Sequence, residues 1–129
     1  KPGPKNSLGL VKFMFPNQYD IYMHDTPAKS LFMLEERTFS HGCVNIKDAK
    51  GLAQAILKSD PDWTTEKIDL AMNGKKETPY ELKNKIPVYM SYFTAWVSYD
   101  TDEINFYDDI YGKDKAAEQQ QDTNGVAMF

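Results

Sequence analysis

The apolar positions of the chain change period several times, and each change predicts an element. Leu8 to Phe15 is an apolar run rich in β-formers that Pro16-Asn17 stops. Tyr19 to Met23 alternates polar and apolar residues, so the two segments predict a hairpin with His24 at the exit of its second strand. Asp25-Thr26-Pro27 then breaks the chain, because Pro27 disfavours helix at Thr26. The apolar cluster Leu31 to Leu34 predicts a single helical turn. Ala49, Leu52, Ala53, Ile56 and Leu57 recur at helical spacing on one face, with lysines and Gln54 on the other. A second helix is expected after Asp60-Pro61-Asp62, with Thr64 as N-cap, Trp63 and Ile68 as a hydrophobic staple and Gly74 at the C′ position.

The second half reads differently. Ile86 to Tyr99 is apolar on both alternating faces, which predicts a central strand covered on both sides. Asp100-Thr101-Asp102 turns it back into Ile104 to Tyr107 as another hairpin. From Lys113 the sequence KDKAAEQQQDTNG is polar and poor in aromatics, a frayed helix or disordered end. Residues 1–112 are therefore expected to fold, and residues 113–129 to form a flexible polar tail. No internal repeat is visible. The expected class is α+β, mainly β, with two helices packed on the core.

Composition narrows the function classes. The 129 residues are one domain's worth, enough to bury a core without disulfides. Lys and Arg total 15 against 19 Asp and Glu, a net charge of −4, and the basic residues are scattered, which argues against a nucleic-acid surface. No apolar run approaches the roughly 18 residues of a membrane helix, and no leader pattern opens the chain. The opening Lys1-Pro2-Gly3-Pro4 reads as mid-protein, so a signal or membrane anchor is expected only in segments outside this chain. The single cysteine excludes an internal disulfide and leaves the compartment open.

That cysteine carries the candidate chemistry. Ser40-His41-Gly42-Cys43-Val44-Asn45 sets Cys43 beside His41, and the one other histidine, His24, lies upstream. A free thiol titrates near about 8.5, so a histidine within hydrogen-bond reach raises its thiolate fraction and can return the proton to a leaving amine. His41 would share a face with Cys43 if the loop is extended, whereas His24 is mounted on a strand end and held more firmly. Spacing alone leaves the two histidines level. Gly42 removes a side chain where a substrate carbonyl must approach, and the Gly42 and Cys43 amides are candidates for an oxyanion hole. Ser40 and Asn45 flank the loop and can bond its backbone. Against this stands the bland alternative, in which a lone cysteine is a small buried hydrophobe and the HGC tripeptide carries no meaning.

The longer pattern is more specific. His24, fifteen intervening residues and then SHGCVN resembles the signature of the L,D-transpeptidases, the YkuD-type catalytic domains. PGPKNSLGLVKFMFPN from Pro2 to Asn17 resembles the PGPxNxLGxxKFxxPN segment of the large periplasmic Gram-negative subtype. IYMHDTP from Ile21 to Pro27 carries that subtype's His-Asp-Thr-Pro. Arg37, Trp63, the IPVYMSYFTAWV segment and Asp109 to Tyr111 extend the likeness over roughly residues 2–112. The resemblance implies a β-sandwich or partial-barrel core, with opening strands upstream of this chain and two helices after the cysteine. It implies Cys43 as nucleophile, His24 as general base and the Asp25 backbone carbonyl as the group orienting the imidazole. The Gly42 amide would help hold the oxyanion, His41 and Ser40 would support the loop, and Asn45 and Arg37 would order it or meet a substrate carboxylate. For Arg37 a solvated, loop-bracing role is the plain alternative.

The reaction so implied needs neither metal nor organic cofactor. Its partners are peptidoglycan stem peptides, a donor tetrapeptide and an acceptor amine, joined in a 3→3 cross-link in the periplasm or cell envelope. Carbapenems should acylate the same thiol. Water as acceptor would make the enzyme an L,D-carboxypeptidase. A non-catalytic peptidoglycan-binding module is the competing class, and it predicts a lost Cys, His or Gly; all are present here. The absent CGSC-type signature and a histidine that precedes the cysteine argue against a papain-like protease.

Overall fold

The computed structural model describes residues 5–123, so the Lys1–Pro4 opening and the chain beyond Thr123 lie outside the described residues. The chain divides into two compact units, Lys1–Ile86 and Pro87–Phe129.

In the first unit, β1 (Lys12–Phe13) pairs antiparallel with β2 (Met23–His24), which pairs parallel with β3 (Val44–Asn45) in the order β1-β2-β3. The hairpin is as expected, but the apolar run before it contributes only its end. Residues 7–10 are turn, and Gly9 sits at φ +60, a conformation that ends a strand and favours glycine. A parallel pair cannot be joined by a tight turn. Residues 25–43 supply the crossover, with a 3₁₀ turn at Lys29–Met33 where one helical turn is expected.

Two helices follow. α1 (Ala49–Leu57) is capped by Asp48, whose side chain accepts from the Gly51 amide at 2.8 Å. α2 (Thr65–Met72) is capped by Thr64, which accepts from the Lys67 amide at 3.3 Å, a contact of about 1 kcal/mol. Gly74 follows the C-cap Asn73 as expected. Ala53 lets the helices approach, and it forms a small core with Ile68 and Met72. Trp63 packs against this cluster with Leu57, and so do Leu10, Val11 and Phe13. The helices therefore buttress β1, and β1 in turn carries β2 and β3.

In the second unit, β4 (Ala95–Val97) and β5 (Ile104–Phe106) form an antiparallel hairpin. Its turn places Asp102 at φ 54, and the Ser98 amide donates to the Glu103 carbonyl at 2.9 Å. α3 (Lys113–Thr123) takes the helical alternative for the polar stretch. The Asp109 carboxylate accepts from the Lys113 and Asp114 amides at its start, at 2.9 and 3.0 Å, and from the Tyr92 hydroxyl at 2.8 Å.

One expectation is corrected. Ile86 to Tyr99 is not a long covered strand, because only Ala95–Val97 of it pairs as a strand. A strand apolar on both faces needs a layer on each. Here Tyr89 is 83% exposed, Trp96 58% and Val97 53%, so no layer within this unit covers them among its described residues. The class is α+β, and its strands of two or three residues make it less β-rich than the pattern predicts.

Candidate active site

His24 and Cys43 come together through strand pairing. The β2–β3 register sets Met23 opposite Val44 and His24 opposite Asn45. The Val44 amide donates to the Tyr22 carbonyl at 3.0 Å and the Ile46 amide to the His24 carbonyl at 2.8 Å. Paired residues of parallel strands face the same way, and the faces alternate along each strand. Tyr22 and His24 therefore share one face with Cys43 and Asn45, and the register sets Cys43 two residues before the position opposite His24. The Tyr22 and His24 rings are tilted at 57° with centroids 5.9 Å apart.

His24, Asp25 and Thr26 are 7%, 8% and 5% exposed, the buried polar residues among those described. Burial at that level requires partners. The His24 Nδ1 lies 2.5 Å from the Asp25 carbonyl oxygen. A carbonyl only accepts, so Nδ1 carries the hydrogen and Nε2 is the basic nitrogen. Thr26 Oγ1 accepts from the Ala28 amide at 3.1 Å and tightens the turn.

The Asp25 side chain faces the other way. Its Oδ2 accepts from the Leu10 amide at 2.9 Å, and its Oδ1 meets Lys29 Nζ at 2.5 Å. A Cβ built at Gly9 would stand 2.6 Å from the Asp25 Cβ, so glycine is required there by close approach as well as by φ. Burial alone would raise the Asp25 carboxyl, but the Lys29 hydrogen bond, the Leu10 and Thr26 amides and the Lys29 charge outweigh it. The group therefore titrates below its ordinary value of 3.8. A lowered carboxyl adds stability that is complete above the unfolded value and is lost as pH falls through the folded one. Asp25→Asn should therefore melt lower than the parent near neutrality. That gap should narrow as thermal midpoints are followed from about pH 6 to about pH 3.

The loop before Cys43 is bent. Residues 40–42 are bends, His41 is exposed, and Gly42 has φ +141, which glycine alone adopts easily. The extended loop that would set His41 beside the thiol is therefore absent, whereas His24 is buried on the adjacent strand. Ser40 Oγ donates to the Cys43 carbonyl at 2.5 Å and accepts from the Gly42 amide at 3.2 Å. The Gly42 amide is thus engaged inside the loop, and it meets an oxyanion only by exchanging the Ser40 hydroxyl. The Cys43 amide alternates away from β2, toward the open edge of β3. Cys43 is a half-buried free thiol and Asn45 is half-buried. Arg37 is exposed, and its Nε donates to the Leu34 carbonyl at 2.9 Å, bracing the loop. Among the described residues no group of three or more His, Cys, Asp or Glu side chains could hold a metal ion.

Sequence reasoning missed Gly9 and Lys29. A glycine inside an apolar run was the available signal for the first, since it marks a close backbone approach.

Comparison with known proteins agrees with the motif. Residues 1–69 match the sequence profile of the L,D-transpeptidase catalytic domain, YkuD. A Haemophilus influenzae protein, itself named only provisionally as an L,D-transpeptidase, is 36% identical over 110 residues, 85% of this chain. The match spans 22% of that relative's length.

Proposed function

The chain belongs to the YkuD family of L,D-transpeptidase catalytic domains, and on that premise we propose that its site performs cysteine acyl transfer on peptidoglycan stem peptides. The observation that carries this reading is His24 Nδ1 held on the Asp25 carbonyl, one strand from Cys43 and on the same face. That arrangement leaves Nε2 to take the thiol proton.

In the proposed reaction Cys43 Sγ gives its proton to His24 Nε2 and attacks the carbonyl between the third stem residue and the terminal D-Ala. The oxyanion is met by the Cys43 amide, joined by Gly42 when its N–H leaves Ser40. The C–N bond then breaks, and His24 returns the proton to the departing D-Ala amine, leaving a thioester on Cys43. A side-chain amine of a neighbouring stem, such as diaminopimelate, attacks the thioester carbonyl and loses a proton to His24. The thiol leaves and is reprotonated, and a 3→3 cross-link remains. Asn45 and Arg37 are assigned to ordering the loop or meeting a stem carboxylate, with His41 and Ser40 in support. The same reading carries a sandwich or partial-barrel core, of which the β1-β2-β3 sheet would be one part. It also places the protein in the cell envelope, where its substrate is; no helix among the described residues is long and apolar enough to cross a membrane.

Incubation with a purified tetrapeptide stem tests this directly. Release of D-Ala together with a cross-linked dimer is expected. Release without dimer would identify a carboxypeptidase, and no release would favour a non-catalytic wall-binding module.

A further inference from the structure

We propose that Lys29 is a positioning residue for His24, fastening the turn that orients the imidazole to the end of the strand that follows Cys43. The inference deepens the proposed function and rests on His24 and Cys43 being its base and nucleophile.

The Lys29 ammonium has three protons to donate. It lies 2.5 Å from Asp25 Oδ1, 3.0 Å from the Ile46 carbonyl and 2.8 Å from the Lys47 carbonyl. Asp25 is the residue after His24 on β2, and Ile46 and Lys47 directly follow β3. One ammonium therefore bridges the exits of the two strands that carry the candidate base and nucleophile. Asp25 is fastened on its other side too. Its amide donates to the Val11 carbonyl at 2.9 Å, and its Oδ2 accepts from the Leu10 amide beside Gly9. The Asp25 peptide is thus tied by its amide and carboxylate to Val11 and Leu10, just ahead of β1, and to the β3 exit through Lys29. Its carbonyl is the group that fixes the His24 ring.

Stability alone does not explain this arrangement. The Lys29 side chain is 45% exposed, so solvent screens part of its charge, and pairing with Asp25 for stability does not require its two further bonds to the Ile46 and Lys47 carbonyls. What three directed hydrogen bonds supply is geometry. Without the ammonium, the Asp25 carboxylate, 11% exposed, loses its counter-charge, and the turn loses its tie to the β3 exit while keeping those to Leu10 and Val11. A displacement of about 1 Å at a reacting pair costs on the order of 100-fold in rate.

The test measures the rate of Cys43 acylation by a carbapenem, from intact mass, in the full-length protein. Lys29→Met should slow acylation about 10- to 100-fold, and Lys29→Arg, which can still donate to the carboxylate and both carbonyls, should restore most of it. In a His24→Ala background Lys29→Met should change nothing further, since its effect passes through the histidine. A purely structural lysine would lower the melting midpoint and slow acylation equally with or without His24. That result, or an unaffected rate in Lys29→Met, overturns the proposal while leaving the nucleophile assignment intact. If Lys29→Met does not fold, Asp25→Asn, which keeps the carbonyl and the side-chain acceptor but loses the charge, should show the same dependence on His24. A parent protein that forms no adduct would overturn both this inference and the proposed function beneath it.

Discussion

Cys43→Ala is expected to abolish D-Ala release from a tetrapeptide stem, reducing it to the uncatalysed background, and to leave the fold in place. The effect is complete because no other thiol exists in the chain to form a thioester. The fold survives because Cys43 is half-buried at the entrance to a short edge strand, outside the Ala53, Ile68 and Met72 cluster. The stability change should stay within about 1 kcal/mol. Stem turnover followed by mass spectrometry, beside a thermal melt, separates the two effects. Retained turnover would remove the thiol from the mechanism.

His24→Ala should slow the same step by about 10² to 10⁴, the range expected for losing a general base. This variant also loses the hydrogen bond to the Asp25 carbonyl from a buried position, so some loss of stability accompanies it. His41→Ala is the control that gives the number meaning. His41 is exposed on a bent loop, and its removal should cost far less than removal of His24. Stopped-flow acylation rates for both variants, taken well below their melting midpoints, decide between the histidines. If His41→Ala is the slower protein, the base is misassigned.

The elements with strong local rules were legible in the sequence. Helix α1 begins and ends where its apolar spacing places it, and Thr64 caps α2 as its position demands. The hairpin leading to His24 was visible in the alternation of Tyr19 to Met23, although only Met23–His24 pairs. Ile86 to Thr94 misled because apolar alternation reports a segment able to be buried, and burial needs partner layers that these residues lack.

In the site, the motif picked out Cys43 and His24, but spacing could not choose between His24 and His41. Strand register favours His24, since it puts that residue and Cys43 on one face, and it depends on a long-range parallel pairing with no local signature. Lys29 stayed hidden for a related reason. Two of its three partners are backbone carbonyls 17 and 18 residues away, and a carbonyl leaves no mark in a sequence. The resemblance implies a role for the Asp25 carbonyl; its carboxylate holds the turn as well.

The central claim, that Cys43 is an activated nucleophile, is tested most directly by intact-protein mass after incubation with a carbapenem, beside Cys43→Ala. The account predicts one covalent adduct on the parent protein and none on the variant. An unmodified parent, or an adduct that persists in Cys43→Ala, would contradict it.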